Sequence, residues 1–123
     1  MSNSRLLLGR RGEDLAVEYL KGQGYRVIER NVRSRMGEID VVARDGAFIC
    51  FVEVRTRSST RFGWPEESVT GLKRLRLKRL AQGYLQRFRG PIGPVRFDVL
   101  SLLLGPDGLP ARTRLIKGAF EVG

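Results

Sequence analysis

Two acidic residues lie inside apolar runs of residues 37–57, which read GEIDVVARDGAFICFVEVRTR. Asp40 and Glu53 each stand between two aliphatic residues, where a charge is costly unless it is paired or bound to a metal. Asp45-Gly46 separates the two runs, and this dipeptide predicts a tight hairpin. The register of such a hairpin can place the two carboxylates side by side on adjacent strands.

Two adjacent carboxylates favour a divalent cation, because they repel each other and a cation takes oxygens from both. The chain has no histidine and one cysteine, which excludes histidine-based catalysis and histidine metal ligands. Any metal must be held by oxygen, so the candidates are Mg²⁺, Mn²⁺ or Ca²⁺ rather than structural Zn²⁺. We therefore expect Mg²⁺ or Mn²⁺, bound by Asp40 and Glu53, at a site that hydrolyses phosphodiester bonds. Arg55, on the same face as Glu53, is predicted to contact the phosphate, and Glu13 of the first helix to complete the site.

The same residues also have interpretations without catalysis. Asp40 and Glu53 would pair with Arg55 or Arg57 in a buried ion network if no metal were bound. Taken alone, three further acids are interpreted as surface or structural residues: Glu13 on its helix, Glu38 at a strand start and Asp98 in an apolar strand.

The chain carries a net charge of +10 and has a sequence pI near 11.0. This excess favours a polyanionic partner, most simply DNA, although a general compositional bias toward arginine would also produce it. The basic side of the second helix is equally consistent with a solvated face. Five basic residues are the candidate nucleic-acid contacts: Arg33, Arg35, Arg57, Lys73 and Arg74.

Residues 57–65, RSSTRFGWP, form the least regular stretch and predict a mobile loop beside the site. The stretch contains Phe62 and Trp64. These two side chains would either stack on a nucleobase or cover the core as a lid, and the lid is the favoured interpretation.

Apolar periodicity, caps and turn residues predict the elements that position these side chains. Helices are expected at residues 5–22, capped by Asn3 or Ser4, and at 71–89. Strands are expected at 25–30, 38–44, 47–56 and 95–103, with a loop at 31–36 and a last edge strand or tail element at 113–120. The second helix is expected to bury Leu72, Leu75, Leu80, Tyr84, Leu85 and Phe88. The order αβββαβ predicts one layered α/β domain over residues 1–123, with a mixed sheet of four or five strands flanked by helices and a tail element over 105–123.

The chain begins MSNSRLLLGRRGEDLA, in which only three consecutive leucines precede the next charges. This run is too short for a signal peptide or a membrane span, so a cytoplasmic protein without a membrane partner is expected. Cys50 lies inside an apolar run and is expected to pack as a small apolar residue.

Beyond these local patterns, the sequence resembles the YraN-like (UPF0102) family of small bacterial proteins. The resemblance covers roughly residues 9 to 118 and is most specific in the pair GEID and FVEVRTR at residues 37–40 and 51–57. The remaining matching positions are Gly9, Gly12, Glu13, Ala16, Tyr19, Leu20, Gly24, Tyr25, Arg30, Asn31, Arg33, Val69, Lys73, Ala81, Tyr84, Leu85, Arg96, Phe97 and Asp98.

The resemblance implies the restriction-endonuclease-like fold and a relationship to archaeal-type Holliday junction resolvases. The nuclease signature of that fold is an acid on one strand, acid-x-lysine on the next and a glutamate on the first helix. On this chain the acids fall on Asp40, Glu53 and Glu13, and the lysine position falls on Arg55. Arginine stays protonated and cannot act as a base, although it can stabilise charge on a phosphate. Lys73 is the alternative source of a lysine at the site.

Three functions follow from these observations. The leading hypothesis is a Mg²⁺- or Mn²⁺-dependent DNA endonuclease, with branched or recombination DNA as one substrate class. The alternative is a non-catalytic nucleic-acid-binding module that retains the nuclease fold, and the third is a subunit whose basic face binds an acidic protein. A symmetric homodimer is compatible with a junction enzyme, but no interface is readable in the sequence.

Overall fold

The computed structural model describes residues 4–121. Asn3, one of the two predicted helix caps, lies outside the described residues. The elements are α1 (Ser4–Gly22), β1 (Arg26–Ser34), β2 (Gly37–Asp45), β3 (Phe48–Arg57), a 3₁₀ helix (Pro65–Ser68), α2 (Gly71–Arg87), β4 (Val95–Leu104) and β5 (Pro110–Phe120).

The five strands form one mixed sheet in the order β1-β2-β3-β4-β5. β3 pairs with β4 in parallel, and the other neighbours are antiparallel. β3 is therefore central, and its continuous apolar run is explained because both of its faces are covered. α1 packs with one buried cluster and α2 with the other, which confirms the predicted layered α/β fold.

Two strands are longer than the sequence indicated. β1 continues through residues 31–34, which were predicted as a loop, because its backbone pairs with β2 as far as the contact of Ser34 with Gly37. These residues are polar because β1 is an edge strand that is largely exposed. β5 is a complete edge strand that pairs along most of β4, and the open choice between strand and tail is resolved in favour of a strand.

The orientation of α2 differs from the prediction at its first turns. Leu72 and Leu75 were expected in the core, but they are 66% and 48% exposed. The side chains that do face the sheet are Leu77, Leu80, Ala81 and Tyr84. The buried stripe therefore begins later in the helix, and the first turns project beyond the core.

α1 approaches the end of β3 closely enough that Gly12 has no room for a side chain. A Cβ at Gly12 would overlap the hydroxyl of Thr56. The missing side chain lets the middle of α1 rest on β3, and this contact sets the position of the next residue, Glu13. No helix among residues 4–121 combines the length and apolarity needed to cross a bilayer.

Candidate active site

Asp40 lies where β2 and β3 stop pairing. The ladder between the two strands runs from the pair of Asp45 and Phe48 to the pair of Val41 and Val52. One step further, Asp40 Oδ2 accepts a hydrogen bond of 2.8 Å from the backbone N–H of Val54. The carboxylate therefore takes the place of a ladder acceptor, which explains how a strand residue of this type is tolerated in the sheet.

Three carboxylates converge at this point. Glu13, Glu38 and Asp40 each offer one oxygen, and these oxygens all lie within 4.8 Å of one another. All three residues are half-buried. The sequence predicted Glu13 and Asp40 for the site, whereas Glu38 was interpreted as a surface acid. Its membership follows from the strand geometry, since it precedes Asp40 by two positions on β2.

Asn31 ties two of these acids together and was missed by the sequence reasoning. Its amide, oriented so that the nitrogen faces the acids, donates to Glu13 Oε1 at 2.8 Å and to Glu38 Oε1 at 2.8 Å. Its φ is 52°, the only positive value at a non-glycine among the described residues. Asparagine tolerates this conformation better than most residues, which was the available signal.

Glu53 is close enough to Asp40 for its charge to act on that carboxyl, and it has a cationic neighbour of its own. Arg55 Nη1 is 3.3 Å from Glu53 Oε1. Arg55 Nε also donates to Ser68 Oγ at 2.7 Å, and that hydroxyl donates to the carbonyl of Pro65. The ion pair considered as the non-catalytic interpretation is thus present for Glu53. Asp40 has no salt bridge within the described part of the chain.

The electrostatics of the cluster reflect this difference. Burial, then the Glu53 carboxylate, raises the pKa of Asp40 to about 8, although the Val54 N–H acts against the shift. Burial and the charge of Glu38 raise the pKa of Glu13. Burial also raises the pKa of Glu53, against the opposing effect of Arg55. Burial and mutual repulsion therefore make these carboxylates hold their protons to higher pH than ordinary carboxylates do.

Lys73 stands next to Glu53 from the side of α2. The two residues line one small cavity together with Glu38. Burial, then the positive charge of Arg55, lowers the pKa of Lys73. The structure thus places a lysine beside the acids although the expected strand position holds arginine.

An open cleft of about 610 Å³ gives access to these groups. The acids Glu13, Asp40 and Glu53 line it together with Arg55 and Arg57. A carboxylate floor with arginines on the wall suits a phosphate ester better than an apolar ligand, because the two charge types meet at one place.

The other predicted contacts lie at different distances from this cleft. Arg33 is 3.1 Å from Glu38 and is 79% exposed, so it stands at the rim of the acid cluster. Arg35 is exposed at the turn between β1 and β2. Arg74 stacks on Phe120 of β5, with 5.5 Å between its guanidinium carbon and the ring centroid. The structure does not bring Arg74 to the acids.

The lid interpretation of the loop aromatics is wrong. Phe62 is 80% exposed and Trp64 is 41% exposed, so neither covers the core. The loop is fastened to the site, however, because Arg57 Nη1 donates to the carbonyl of Phe62 at 3.4 Å. Mobility of residues 57–65 stays a prediction.

The donor set fits a hard divalent cation. Every ligand offered by Glu13, Glu38 and Asp40 is a carboxylate oxygen, and no nitrogen or sulfur ligand accompanies them among the residues described. This composition matches Mg²⁺ or Mn²⁺. Hydrogen bonds from the Asn31 amide and from the Val54 backbone N–H hold the three acids in place.

The matching family model is the uncharacterised protein family UPF0102, over residues 12–102. A UPF0102 protein of Symbiobacterium thermophilum is 51% identical over 114 residues, covering 93% of this chain and 96% of the relative. One from Moorella thermoacetica is 50% identical over 121 residues, covering 98% of this chain and 100% of the relative. One from Mycolicibacterium vanbaalenii is 45% identical over 117 residues, covering 95% and 96%. The chain therefore belongs to the UPF0102 family.

Proposed function

We propose that this protein is a divalent-metal-dependent endonuclease that hydrolyses phosphodiester bonds in DNA. The observation that carries the proposal is the group formed by Glu13, Glu38 and Asp40, whose oxygens lie within 4.8 Å of one another. Such a concentration of acids near the beginning of β2 is costly unless a cation or a reaction uses it.

The proposed metal ligands are Asp40, Glu13 and Glu38, with Glu53 beside them. Mg²⁺ or Mn²⁺ bound there would polarise the scissile phosphate and lower the pKa of a coordinated water. The protein's own residues hold the acids in position through the Val54 N–H and the Asn31 amide.

The cations of the cleft have separate proposed tasks. Arg55 and Arg57 bind the oxygens of the scissile phosphate, because guanidinium groups match phosphate geometry and stay charged. Lys73 shares a cavity with Glu53, so we assign this pair to holding the attacking water and its proton. This division leaves Arg55 a role that does not require it to lose a proton.

Two further facts support DNA as the substrate. The net charge of +10 attracts a polyanion along the whole surface. The family's resemblance to restriction-endonuclease-like enzymes and junction resolvases points to the same polymer, and to branched or recombination DNA as the finer substrate class.

The test is cleavage of labelled single-stranded, duplex and four-way-junction DNA with Mn²⁺, Mg²⁺ or EDTA. We expect cleavage with either metal, none with EDTA, and loss of cleavage in Glu13→Gln. Asp14→Asn is the matched control, because Asp14 is the neighbouring acid on α1 and its side chain is 71% exposed. Absence of cleavage of all three substrates by the wild type would contradict the proposal.

One observation favours the second candidate, a nucleic-acid-binding module without catalysis. Arg55 occupies the expected lysine position and is engaged by Glu53 and Ser68. This function predicts DNA binding that weakens steeply with salt, is indifferent to Mg²⁺, and is unchanged or tighter in Asp40→Asn.

A further inference from the structure

Two aromatic side chains stand in solvent directly after the strand that carries the cleft's arginines. Phe62 is 80% exposed and Trp64 is 41% exposed. Both belong to the short segment 58–64, and the start of this segment, Ser58 and Ser59, lines the cleft with the acids. Two exposed aromatics this close together leave apolar surface in water, which is characteristic of a binding surface.

One arginine lies near each of these rings. The guanidinium carbon of Arg112 lies 4.3 Å from the centroid of Trp64. Arg112 is fixed there by Glu66, which accepts two hydrogen bonds from it at 3.2 and 3.0 Å. The guanidinium carbon of Arg61 lies 5.6 Å from the centroid of Phe62. Each ring thus has a positive charge beside it, and part of each ring stays exposed to a ligand.

The segment is also fixed relative to the proposed phosphate contacts. Arg57 donates to the carbonyl of Phe62, and Arg55 donates to Ser68, whose hydroxyl is bonded to Pro65. Arg57 therefore holds the segment that carries the aromatics, and Arg55 holds the 3₁₀ helix that follows it. A nucleotide whose phosphate lay at Arg55 or Arg57 would have its neighbours within reach of these rings.

We infer that Phe62 and Trp64 stack on unpaired nucleobases next to the scissile phosphate, so that DNA with single-stranded nucleotides is the substrate class. The inference rests on the proposed function for the identity of the ligand and for the position of its phosphate. Stacking on an aromatic side chain requires a free π face, and a base inside a duplex has both faces covered by its neighbours. The positive charges of Arg112 and Arg61 beside the rings add attraction to the phosphates of the same strand.

Trp64 is the only tryptophan, so its fluorescence reports on this surface alone. The wild type is titrated in EDTA with an oligothymidylate, the same strand made of abasic nucleotides, and the matching duplex. We expect quenching by the oligothymidylate and little by the other two. In Phe62→Leu the affinity for the oligothymidylate is expected to fall on the order of tenfold.

Phe48→Leu is the matched control. Phe48 also lies under an arginine, with the Arg96 guanidinium carbon 4.8 Å from its ring centroid, but it stands at the first residue of β3 whereas the cleft is at the last. Trp64→Leu is followed by the anisotropy of a labelled oligothymidylate and is expected to lose affinity as Phe62→Leu does. Equal quenching by the abasic strand, or unchanged affinity in Phe62→Leu, overturns the inference.

The two proposals fail in different ways. Base-dependent quenching without metal-dependent cleavage would contradict the endonuclease proposal and support the stacking surface. If the wild type and Phe62→Leu both cleaved fully paired duplex at the same rate as single strands, the endonuclease proposal would be supported and the stacking surface contradicted.

Discussion

Two regions of the sheet hold buried acids, and they differ in how completely nearby cations and hydrogen-bond donors neutralise them. Asp98 on β4 is fully buried, and Arg96 donates to its two oxygens at 2.8 and 2.9 Å. Tyr25 donates to the same carboxylate at 2.7 Å, and the backbone N–H of Gly118 donates at 3.0 Å. Asp40 on β2 receives one backbone bond and otherwise faces other acids.

The charged residues around Asp98 and Asp40 differ in the same way. Around Asp98, Arg96 also contacts Asp45 at 2.6 Å, and Lys117 contacts Asp45 at 3.0 Å. Two acids and two cations thus form a closed network. Around Asp40 the acids outnumber the cations that touch them. A closed network is a structural solution for buried charge, whereas an unbalanced one is the candidate for a ligand.

The largest expected effect comes from removing the charge of Asp40. Asp40→Asn keeps an oxygen for the Val54 N–H but removes the charge that would bind a cation. We expect metal-dependent cleavage to fall on the order of a thousandfold, because metal ions supply several kcal/mol of transition-state stabilisation. Cleavage rates measured with Mn²⁺, together with Mn²⁺ titration calorimetry, check this. Retained cleavage and retained binding heat would place the metal elsewhere.

Neutralising Asp98 is expected to affect stability instead. Asp98→Ala leaves Arg96 with one carboxylate and a partly unpaired buried charge, which we expect to lower the free energy of unfolding by about 3 kcal/mol. Urea unfolding measures the change, with Asp14→Ala as the exposed control, expected to cost less than about 1 kcal/mol. If Asp40→Ala proved as destabilising as Asp98→Ala, the distinction between the two regions would be lost.

The sequence predicted the frame of the active region well because its signals are local. Asp45-Gly46 indicated the hairpin, and Gly46 indeed has a positive φ of 58°. The position of an acid within an apolar run identified Asp40 and Glu53, since such a pattern needs no knowledge of distant residues. Glu13 was predicted as the residue of the first helix that completes the site, and the family resemblance gave the same assignment.

What the sequence did not predict depends on contacts between distant segments. Glu38 resembled a surface acid until β2 and α1 were placed together. Asn31 lay in a polar stretch that resembled a loop, because an exposed edge strand carries no apolar alternation. The rotation of α2, which exposes Leu72, is set by packing on the sheet and not by its own spacing.

Lys73, the cation beside Glu53, allows a sharper test of how far the acid cluster is neutralised by the protein itself. Lys73→Met removes the ammonium group beside Glu53 while keeping the unbranched side chain as far as Cε. We expect cleavage to fall about a hundredfold with DNA affinity little changed, as for loss of a group that positions a proton or water. Lys78→Met is the matched control on α2, since Lys78 lies over Phe120 and not beside the acids. An equal loss in both variants would indicate a general charge effect.

The two regions are also expected to differ in how the free energy of unfolding depends on pH. The pKa of Asp40 is raised to about 8 in the folded state by burial and the facing Glu53. Between pH 3.8, the ordinary pKa of an aspartate, and about pH 8, Asp40 therefore holds a proton in the folded protein that it has lost in the unfolded chain. The free energy of unfolding of the metal-free protein should fall as pH rises through this window, with a slope of up to about 1.4 kcal/mol per pH unit.

The network around Asp98 provides the opposite sign. Hydrogen bonds from Arg96, then Lys117, lower the pKa of Asp45, so its stabilisation is present above the ordinary carboxyl pKa and is lost in acid. Asp45→Asn should therefore keep the fall in stability toward pH 8, while Asp40→Asn should abolish it. Added Mn²⁺ should stabilise the wild type more as pH rises, because the cation binds the ionised acids. Thermal unfolding across pH 5 to 9, with and without Mn²⁺, measures all three. The same slope in Asp40→Asn as in the wild type would mean that Asp40 is ionised in the folded protein and that the two regions do not differ in the way their geometry indicates.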